Sequence, residues 1–254
     1  MNSVINYGCG KMTAVISGGT SGIGLAAAAK LLHDGATVYL LGRSLERGQA
    51  AVTALQKNSG AAVTYICCDV RSSASCEEAA ARIAAASGTI DILINSAGVY
   101  EEQRLENITE AVYDELMDTN VRGTVLLTKA VKRYMERGCI VNVASDAAVS
   151  GNYGCPVYCA AKGAVVAWTK ALALDLAPHI RVNCVCPADV DTPLVRRQLT
   201  AADGGYTLAD MAAVYPLGRI GEAEEIAHMI CSAVSPANSF MTGSIITVDG
   251  GLTA

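Results

Sequence analysis

Two side chains that could exchange protons with a substrate stand one helical turn apart in the second half of the chain. Tyr158 and Lys162 are separated by three residues, so in a helix the phenol and the ammonium share one face. A free tyrosine has a pKa of about 10, and an adjacent cation favours the phenolate and lowers that value. Such a tyrosine can give a proton to a carbonyl oxygen, or take one from an alcohol, while hydride moves at the neighbouring carbon. Surface helices also carry this spacing, so its meaning depends on the rest of the chain.

A glycine-rich loop lies near the amino terminus, between the apolar run 12–16 and the alanine-rich stretch 25–32. This order predicts a strand, a loop and a helix. Glycine permits a tight turn and lets backbone N–H groups approach a pyrophosphate, and the N-terminus of the new helix favours the anion. The spacing is Gly-x-x-x-Gly-x-Gly, which differs from the Gly-x-Gly-x-x-Gly of the usual dinucleotide fingerprint. The residues predicted to bind the dinucleotide here are Gly18, Thr20, Ser21, Gly22, Ile23 and Gly24.

The end of the second predicted strand bears on the choice of dinucleotide. An acidic residue there would accept hydrogen bonds from the ribose of NAD and repel the extra phosphate of NADP. This chain has Gly42, followed by Arg43 and Ser44. Arginine can clasp a 2′-phosphate, and the serine can donate a hydrogen bond to it. The segment favours NADP(H), with NAD(H) as the alternative if Arg43 is only a solvated side chain at a helix start.

The elements that must position these residues alternate along the chain. Short β-branched runs predict strands near 13–17, 37–41, 63–67, 90–94, 139–144, 181–186 and 244–248, with helices between them. Glycine stands just ahead of four of these strands, at Gly35, Gly60, Gly88 and Gly138. This rhythm indicates an α/β fold: a single Rossmann-type, doubly wound domain over residues 1–254, with about seven mostly parallel strands and helices on both faces. Ligands bind at the carboxyl ends of the strands in such folds.

The composition suits a buried core. Of the 254 residues, 52% are hydrophobic, and there is only one tryptophan and one phenylalanine, so aliphatic side chains must fill the interior. A formal net charge of −5 without a basic cluster argues against a nucleic-acid partner, because a phosphate backbone calls for a basic face. Residues 1–11 lack the pattern of a signal peptide, and no run of roughly eighteen apolar residues occurs. We therefore expect a cytoplasmic protein with no membrane partner.

Ten cysteines raise the question of disulfides or a metal site. Cys155 and Cys159 flank the tyrosine, and no Cys-x-x-Cys pair with a histidine partner completes a metal signature. We expect no bound metal, and reduced thiols that act as small hydrophobic side chains. One hypothesis concerns function: alkylation of Cys155 or Cys159 blocks the site beside Tyr158.

Together these features resemble the classical short-chain dehydrogenase/reductase family, and the resemblance runs over nearly the whole chain. Six further segments fit the family pattern in order. They are Cys68-Asp69-Val70, Asn95-Ser96-Ala97-Gly98, Asp118-Thr119-Asn120-Val121, Ile140-Val141-Asn142-Val143-Ala144-Ser145, Arg181-Val182-Asn183-Cys184-Val185-Cys186-Pro187 with Thr192-Pro193, and Met241-Thr242-Gly243 with Val248-Asp249-Gly250-Gly251. The resemblance implies an NAD(P)-dependent oxidoreductase that interconverts a ketone and a secondary alcohol. It also implies a homotetramer, or a homodimer, formed through the long helices after Thr109 and Pro156 and through the last strand.

The resemblance implies a catalytic role for four residues. Ser145 donates a hydrogen bond to the substrate oxygen, and Tyr158 is the acid and base. Lys162 lowers the pKa of the tyrosine and holds the nicotinamide ribose, and Asn120 fixes a water that relays protons. The further cofactor-binding residues implied are Asp69 and Val70 at the adenine, Asn95, Ala97 and Gly98 along the groove, and Pro187, Val190 and Thr192 at the nicotinamide.

One position departs from the family pattern. Ala188 follows Pro187 where the family usually has glycine, and an alanine at positive φ would be strained by roughly 1 kcal/mol or more. The nicotinamide loop is then expected to differ in shape, which puts the contact of Thr192 in doubt. The aspartates that follow, Asp189 and Asp191, fit either local capping or substrate recognition.

The sequence does not determine the identity of the substrate. The segment 194–215 should cover the site, its Gly204-Gly205 pair suggests a mobile tip, and its apolar side chains favour a partly apolar small-molecule carbonyl or alcohol. The first alternative is a 3-oxoacyl-acyl-carrier-protein reductase, since the segment 216–221 is common in such enzymes. It ranks second because Asp175 lies in a helix where those enzymes tend to carry arginine. An alternative of another class is a non-catalytic dinucleotide-binding sensor or scaffold, which would usually lack the serine, tyrosine or lysine.

Overall fold

Seven parallel strands form one sheet in the computed structural model, which describes residues 5–59, 62–201 and 207–254. These seven strands are β1 (Thr13–Ser17), β2 (Thr37–Gly42), β3 (Val63–Cys67), β4 (Ile92–Asn95), β5 (Gly138–Val143), β6 (Ile180–Pro187) and β9 (Ile245–Val248). Two short strands, β7 (Val190–Asp191) and β8 (Gly221–Glu222), pair with each other in a separate small sheet. The helices are α1 (Gly22–His33), α2 (Leu45–Ser59), α3 (Ser73–Ser87), α4 (Glu110–Met117), α5 (Gly123–Lys132), α6 (Pro156–Leu176), α7 (Pro193–Ala201), α8 (Leu208–Ala212) and α9 (Ala223–Val234).

The order of the strands in the large sheet is β3-β2-β1-β4-β5-β6-β9. The chain therefore moves outward from β1 to β3 and then returns across β1 to β4. The crevice where this direction reverses lies at the carboxyl ends of β1 and β4, where doubly wound folds bind ligands. Each of the seven predicted strands is confirmed within two residues at either end, and so is the Rossmann-type fold class. The short parallel pair of β7 and β8 was not predicted.

The two faces of the sheet bury alternate side chains of the same strands. In β1, Ala14 and Ile16 belong to a cluster that includes α1 and α9, whereas Val15 belongs to a cluster with α3, α5 and α6. All five residues of β1 are buried, as expected for a parallel strand that is covered on both faces. The alanines 26–28 are buried where α1 packs on α9, because small side chains let the two helices approach closely.

A π-turn over Asp118–Arg122 joins α4 to α5, so the two helices continue each other with one wide turn between them. Thr109 caps α4 by accepting a hydrogen bond from the N–H of Val112 (3.3 Å). Wide turns of this kind often occur at functional sites. Here the turn contains Asn120, one of the predicted catalytic residues.

Helix α6 has the length and apolar character needed to cross a membrane, and among the described helices it alone does. In this structure α6 packs against β5 and β6. Its buried positions include Tyr158 and Lys162, one helical turn apart as expected. The helix therefore serves as a core element that holds the two predicted catalytic side chains at the sheet.

The segment after β7 lies over the carboxyl ends of the strands. Val195 in α7, Met211 in α8 and Tyr215 form a small buried cluster of their own. The predicted mobile tip at Gly204-Gly205 lies outside the described residues, as does Gly60. Among the residues described, the one non-glycine residue with positive φ is Lys11 (φ 67°), so Ala188 has no such strain and the conditional expectation about its loop does not apply.

Candidate active site

The four predicted catalytic side chains converge at the carboxyl edge of the sheet. Ser145 follows β5, Tyr158 and Lys162 project from α6, and Asn120 comes from the π-turn. All four residues are buried and line one cavity of about 450 Å³. The Lys162 ammonium lies 5.7 Å from the centre of the Tyr158 ring and donates a hydrogen bond to the carbonyl of Val143 (3.1 Å).

Asn120 holds its part of the cavity wall with three hydrogen bonds. Its amide nitrogen donates to the carbonyls of Val99 (3.0 Å) and Leu116 (2.9 Å), and its Oδ1 accepts from the N–H of Val99 (3.2 Å). Gly98 makes this arrangement possible, since a Cβ at that position would lie 2.8 Å from Asn120 Oδ1 and 3.3 Å from Lys162 Nζ. Asn120 thus links the loop at Val99 to the end of α4 by hydrogen bonds. Its binding of a water that relays protons stays a prediction.

Ser145 differs from its expected role. Its hydroxyl donates to Asp146 Oδ1 (2.7 Å) and accepts from the N–H of Ala147 (3.2 Å). A hydroxyl carries one proton, so Ser145 can donate to a substrate oxygen only when it releases Asp146. The sequence analysis did not anticipate this competition from the next residue in the chain.

The Tyr158 pKa is raised in this structure, not lowered as the sequence predicts, and the effect of Lys162 on it stays a prediction. Burial raises the pKa of the Tyr158 phenol above its ordinary value, and the neighbouring Ser145 hydroxyl offsets only part of that effect. Burial also lowers the pKa of Lys162 to about 8. The carboxylates of Asp146 and Asp189 add to the rise at the tyrosine. The Tyr158 phenol therefore keeps its proton in neutral solution.

The same cavity has the features of an anion site at its glycine-rich end. Gly18 has φ +66°, and a Cβ there would lie 2.9 Å from the backbone of Ala97, so the loop presents bare backbone to the cavity. Ser21, Gly22 and Ile23, at the N-terminus of the twelve-residue α1, also line it. Helix N-termini and closely approaching backbone N–H groups fit a pyrophosphate. The residues present thus fit a dinucleotide.

We call this space the basic cavity, because Arg47, Lys162 and Arg197 line it and no aspartate or glutamate does among the described residues. Thirteen of the predicted site residues line it. They are Gly18, Ser21, Gly22, Ile23, Ala97, Gly98, Asn120, Ser145, Tyr158, Lys162, Pro187, Val190 and Thr192. Seven others do not line it: Thr20, Gly24, Arg43, Ser44, Asp69, Val70 and Asn95. For Asn95 the reason is plain, since its amide nitrogen is buried and donates to Thr128 and Asn142.

An ion-pair network occupies the expected adenine end. Arg71 donates to both carboxylate oxygens of Asp69, at 2.8–3.2 Å, and to Glu115 (2.7 Å). The Arg71 guanidinium lowers the pKa of Asp69. Arg43 is half-exposed with its guanidinium 4.0 Å from Glu115, and the Ser44 hydroxyl accepts from the N–H of Arg47 (3.3 Å) at the start of α2. The Asp69 carboxylate is therefore already hydrogen-bonded to Arg71 in the absence of an adenine. The sequence analysis did not predict this ion pair.

Sequence reasoning missed Arg47 and Arg197. Arg47 stands three residues after Ser44, in the first turn of α2, so the predicted strand end and helix start could have suggested it. Arg197 belongs to α7, which folds back over the sheet from a distant part of the chain. Nothing in its local sequence indicates that contact.

A second cavity, of about 310 Å³, is also lined by Tyr158. We call it the acidic cavity, because Glu102, Asp146 and Asp189 line it and no lysine, arginine or histidine does among the described residues. The two cavities share five wall residues: Ser145, Tyr158, Ala188, Leu194 and Val195. The Tyr100 ring meets Tyr158 edge-on at 4.8 Å and forms another part of the wall.

The predicted alternatives for the two aspartates resolve differently. Asp189 accepts from the Tyr215 hydroxyl (2.7 Å) and lies in the wall of the acidic cavity. Asp191 instead forms an exposed ion pair with Arg196 (2.7 Å).

The cysteines beside Tyr158 are close together. Cys155 is buried against Tyr158, and its sulfur lies 3.9 Å from that of the partly exposed Cys159. Burial raises the pKa of the Cys155 thiol to about 12, which makes it a poor nucleophile. Blocking of the site by alkylation stays a prediction, and Cys159 is the residue through which it would act.

A doubly wound sheet with a buried serine, tyrosine and lysine beside an anion-binding loop defines an oxidoreductase that uses a nicotinamide dinucleotide. Known proteins agree. A family model described as enoyl-(acyl carrier protein) reductase matches residues 18–253. Cyclopentanol dehydrogenase from Comamonas is 36% identical over 94% of this chain and 96% of its own length. A 3-oxoacyl-[acyl-carrier-protein] reductase from Chlamydia trachomatis is 31% identical over 94% of this chain and 96% of its own length.

The solved structures give the same result. A short-chain dehydrogenase/reductase from Brucella melitensis, described as a glucose/ribitol dehydrogenase, superposes with a TM-score of 0.91 at 32% identity. It covers 98% of this chain and 100% of its own. The chain belongs to the short-chain dehydrogenase/reductase family, and it is an oxidoreductase that acts on CH–OH or carbonyl groups.

Proposed function

We propose that the protein reduces a ketone to a secondary alcohol with NADPH, and that Tyr158 is the proton donor. The observation that carries this proposal is the position of Tyr158 in the wall shared by the two cavities. A buried phenol whose pKa is raised stays protonated at neutral pH, which suits donation to a ketone oxygen better than removal of a proton from an alcohol.

The bound dinucleotide would supply hydride from the basic cavity. The N-terminus of α1, with Arg47 and Arg197, holds its phosphates by charge. Lys162 uses one N–H for Val143, so two further N–H groups can donate to ribose hydroxyls. Pro187, Val190 and Thr192 line the same cavity and would lie beside the nicotinamide.

At the substrate, two residues act on the carbonyl oxygen. Tyr158 transfers its phenolic proton to that oxygen as hydride arrives at carbon. Ser145 turns its proton from Asp146 to the same oxygen and orients it. The apolar wall residues Leu194 and Val195 exclude water from the reacting atoms.

Arg43 supports the preference for NADPH over NADH. Its side chain is half-exposed at the end of β2, and its ion pair with Glu115 is a long one at 4.0 Å, so it can turn to a 2′-phosphate. No acidic residue follows β2 directly. A polyketide ketoreductase that superposes with a TM-score of 0.90 at 31% identity was solved with NADPH.

Reduction of 3-oxoacyl carrier-protein thioesters is the second candidate, favoured by relatives of that activity at 31–33% identity. The acidic wall argues against it, because a phosphate-bearing carrier arm would be repelled there. A non-catalytic sensor is the third, and the intact serine, tyrosine and lysine argue against it.

We also propose that copies of the chain associate and that the protein works in the cytoplasm. Phe240 is fully exposed next to β9, and Leu174 in α6 is 82% exposed, which leaves an apolar edge for a second copy. All ten cysteines are unpaired, as in a reducing compartment. Sedimentation velocity should give a dimer or tetramer, and a monomer alone would contradict the association.

The decisive test is the initial rate of NADPH and, separately, NADH oxidation with small ketones, sugars, steroids, a 3-oxoacyl thioester and a 2-enoyl thioester. We expect turnover of a small ketone with NADPH and slow turnover of both thioesters. Equal catalytic efficiency with NADH would overturn the cofactor preference. Faster turnover of either thioester would replace the proposed reaction.

A further inference from the structure

We infer that the substrate carries a protonated amine close to its reacting carbon, so that the enzyme takes a small amino ketone or the corresponding amino alcohol. This inference rests on the proposed function, because it assigns the occupant of the acidic cavity beside Tyr158. It starts from the charges of that cavity.

The acidic cavity has three carboxylates and, among the described lining residues, no cation. Glu102 stands exposed, whereas Asp146 is buried. None of Glu102, Asp146 and Asp189 takes part in an ion pair among the described residues. Lys162 faces the basic cavity, and the Arg104 guanidinium lies over the ring of Tyr153 (5.0 Å) without lining the cavity.

The carboxylates of Asp146 and Asp189 repel each other electrostatically. Burial raises the pKa of Asp189, and the charge of Asp146 adds to the rise. Partly buried carboxylates without a cation are costly, because protein surroundings solvate the charge less well than water does. A positive group placed between them would relieve both the burial and the repulsion.

The hydrogen-bonding groups point to a donor-rich occupant as well. Gln198 Oε1 is buried in the cavity wall with no hydrogen-bond partner in the described part of the chain. The Tyr215 hydroxyl already donates to one oxygen of Asp189. The wall therefore offers carboxylate and amide acceptors, and an ammonium group brings three donors and a positive charge.

The link between Ser145 and Asp146 places the amine near the carbonyl. Ser145 must release Asp146 before it can donate to a substrate oxygen. An ammonium bound to Asp146 would take over that carboxylate oxygen and leave the serine proton for the adjacent carbonyl. Because the two residues are neighbours in the chain, this exchange fits an amine one or two carbons from the reacting carbon.

Three other kinds of occupant fit less well. The described residues contain no group of three or more side chains placed to hold a metal ion. Carboxylates, sulfonates and phosphates would meet like charge on the wall. A neutral polyol would satisfy the acceptors but would leave the two aspartates uncompensated.

The test uses three ketones that share the group CH₃–CO–CH₂–X at pH 6.5, where X is ammonium, hydroxyl or carboxylate: aminoacetone, hydroxyacetone and acetoacetate. We expect kcat/KM with NADPH to be at least about tenfold higher for aminoacetone than for hydroxyacetone, and acetoacetate to be about tenfold worse again. The advantage of the amine should shrink as salt is added, since screening weakens the attraction.

A pair of variants locates the effect. Asp189→Asn should reduce the ratio of kcat/KM for aminoacetone over hydroxyacetone several-fold, mainly through a higher KM for aminoacetone. Asp191→Asn is the matched control, because this exposed aspartate two residues away pairs with Arg196 and lines neither cavity. It should leave the ratio unchanged.

The outcomes separate the two proposals. Hydroxyacetone or acetoacetate turned over as fast as aminoacetone would overturn this inference and leave the proposed ketone reduction standing. Equal loss of the amine advantage in Asp189→Asn and Asp191→Asn would also overturn it. If NADPH binds and none of the three ketones is reduced, this inference fails, and the proposed function fails as well if the sugars and steroids of the wider panel are not reduced either.

Discussion

The basic and acidic cavities share five wall residues and differ in every charged one. Arg47, Lys162 and Arg197 line the first, and Glu102, Asp146 and Asp189 line the second. Tyr158 lines both, so one phenol borders a wall suited to phosphates and a wall suited to a cation. The difference teaches that charge can direct two different ligands to two cavities that meet at one side chain.

Burial acts in opposite directions on the titrating groups of the two sides. It lowers the pKa of Lys162 in the basic cavity and raises the pKa of Asp189 in the acidic one, because it disfavours the charged form of each. An oppositely charged ligand would relieve this penalty in each cavity.

Replacing Tyr158 by phenylalanine should have the largest effect, because this residue belongs to both walls. The change removes the proton donor, so kcat should fall by about 10²–10⁴-fold. Fluorescence titration should give an almost unchanged Kd for NADPH, since the phenol contributes no charge to the basic cavity. Near-normal turnover in this variant would show that the wall between the cavities is not where the proton comes from.

Lys162→Met tests whether the basic cavity holds a charge that costs stability. Wild-type Lys162 has a pKa of about 8 when folded and 10.5 as its ordinary value, so the penalty of the buried charge is full below pH 8 and disappears above 10.5. The free energy of unfolding of the wild type, minus that of Lys162→Met, should therefore rise by up to about 3 kcal/mol from pH 7 to pH 10.5.

Urea unfolding of both proteins at the two pH values measures this difference, and the ionisation of other groups largely cancels in it. A difference that does not change with pH would mean that Lys162 is as well solvated in the folded protein as in water.

Arg47→Ala sharpens the comparison at the phosphate end of the basic cavity. Loss of a charged hydrogen-bond donor there should raise the Kd for both NADPH and NADH by about tenfold. Arg196→Ala is the control, since its exposed ion pair with Asp191 contributes little and lies outside both cavities. Isothermal titration of each variant decides the matter, and equal effects would remove Arg47 from the phosphate contacts.

Arg43→Ala should have the smallest effect of the four and should affect one cofactor only. Because Arg43 lies outside the basic cavity, the ratio of kcat/KM for NADPH over NADH should fall about three- to tenfold while the NADH value stays constant. Parallel loss with both cofactors would instead assign Arg43 to the same phosphates as Arg47.

The sequence predicted the strands and helices that carry the site well, because their signals lie in short stretches of neighbouring residues. Strands and loops with short-range patterns appear within two residues of their expected positions, and Tyr158 and Lys162 share a helix face because four residues nearly complete a turn. Thirteen predicted site residues meet in the basic cavity because parallel strands end at one edge of the sheet.

The missed features depend on burial and on contacts between distant parts of the chain. The direction of the Tyr158 pKa was mispredicted because its spacing to Lys162 is visible in the sequence and its desolvation is not. Arg71, which is hydrogen-bonded to Asp69, also donates a hydrogen bond to Glu115, 44 residues further along the chain, and no local pattern predicts that contact. Glu102, Asp146 and Asp189 come to the acidic cavity from three separate segments of the chain, so no local sequence pattern predicts it.

The π-turn at Asp118–Arg122 places a limit on how this protein can change. A wide turn holds one residue more than a regular helix would. Deleting one residue there would close the wide turn into a regular α-helical turn, and α4 and α5 would keep nearly the same relative orientation, because the wide turn absorbs its extra residue. The change would be local, since the Asn120 side chain would lose the position from which it donates to the carbonyls of Val99 and Leu116. The turn therefore matters to the site for where it places one side chain, and much less for how it joins the two helices.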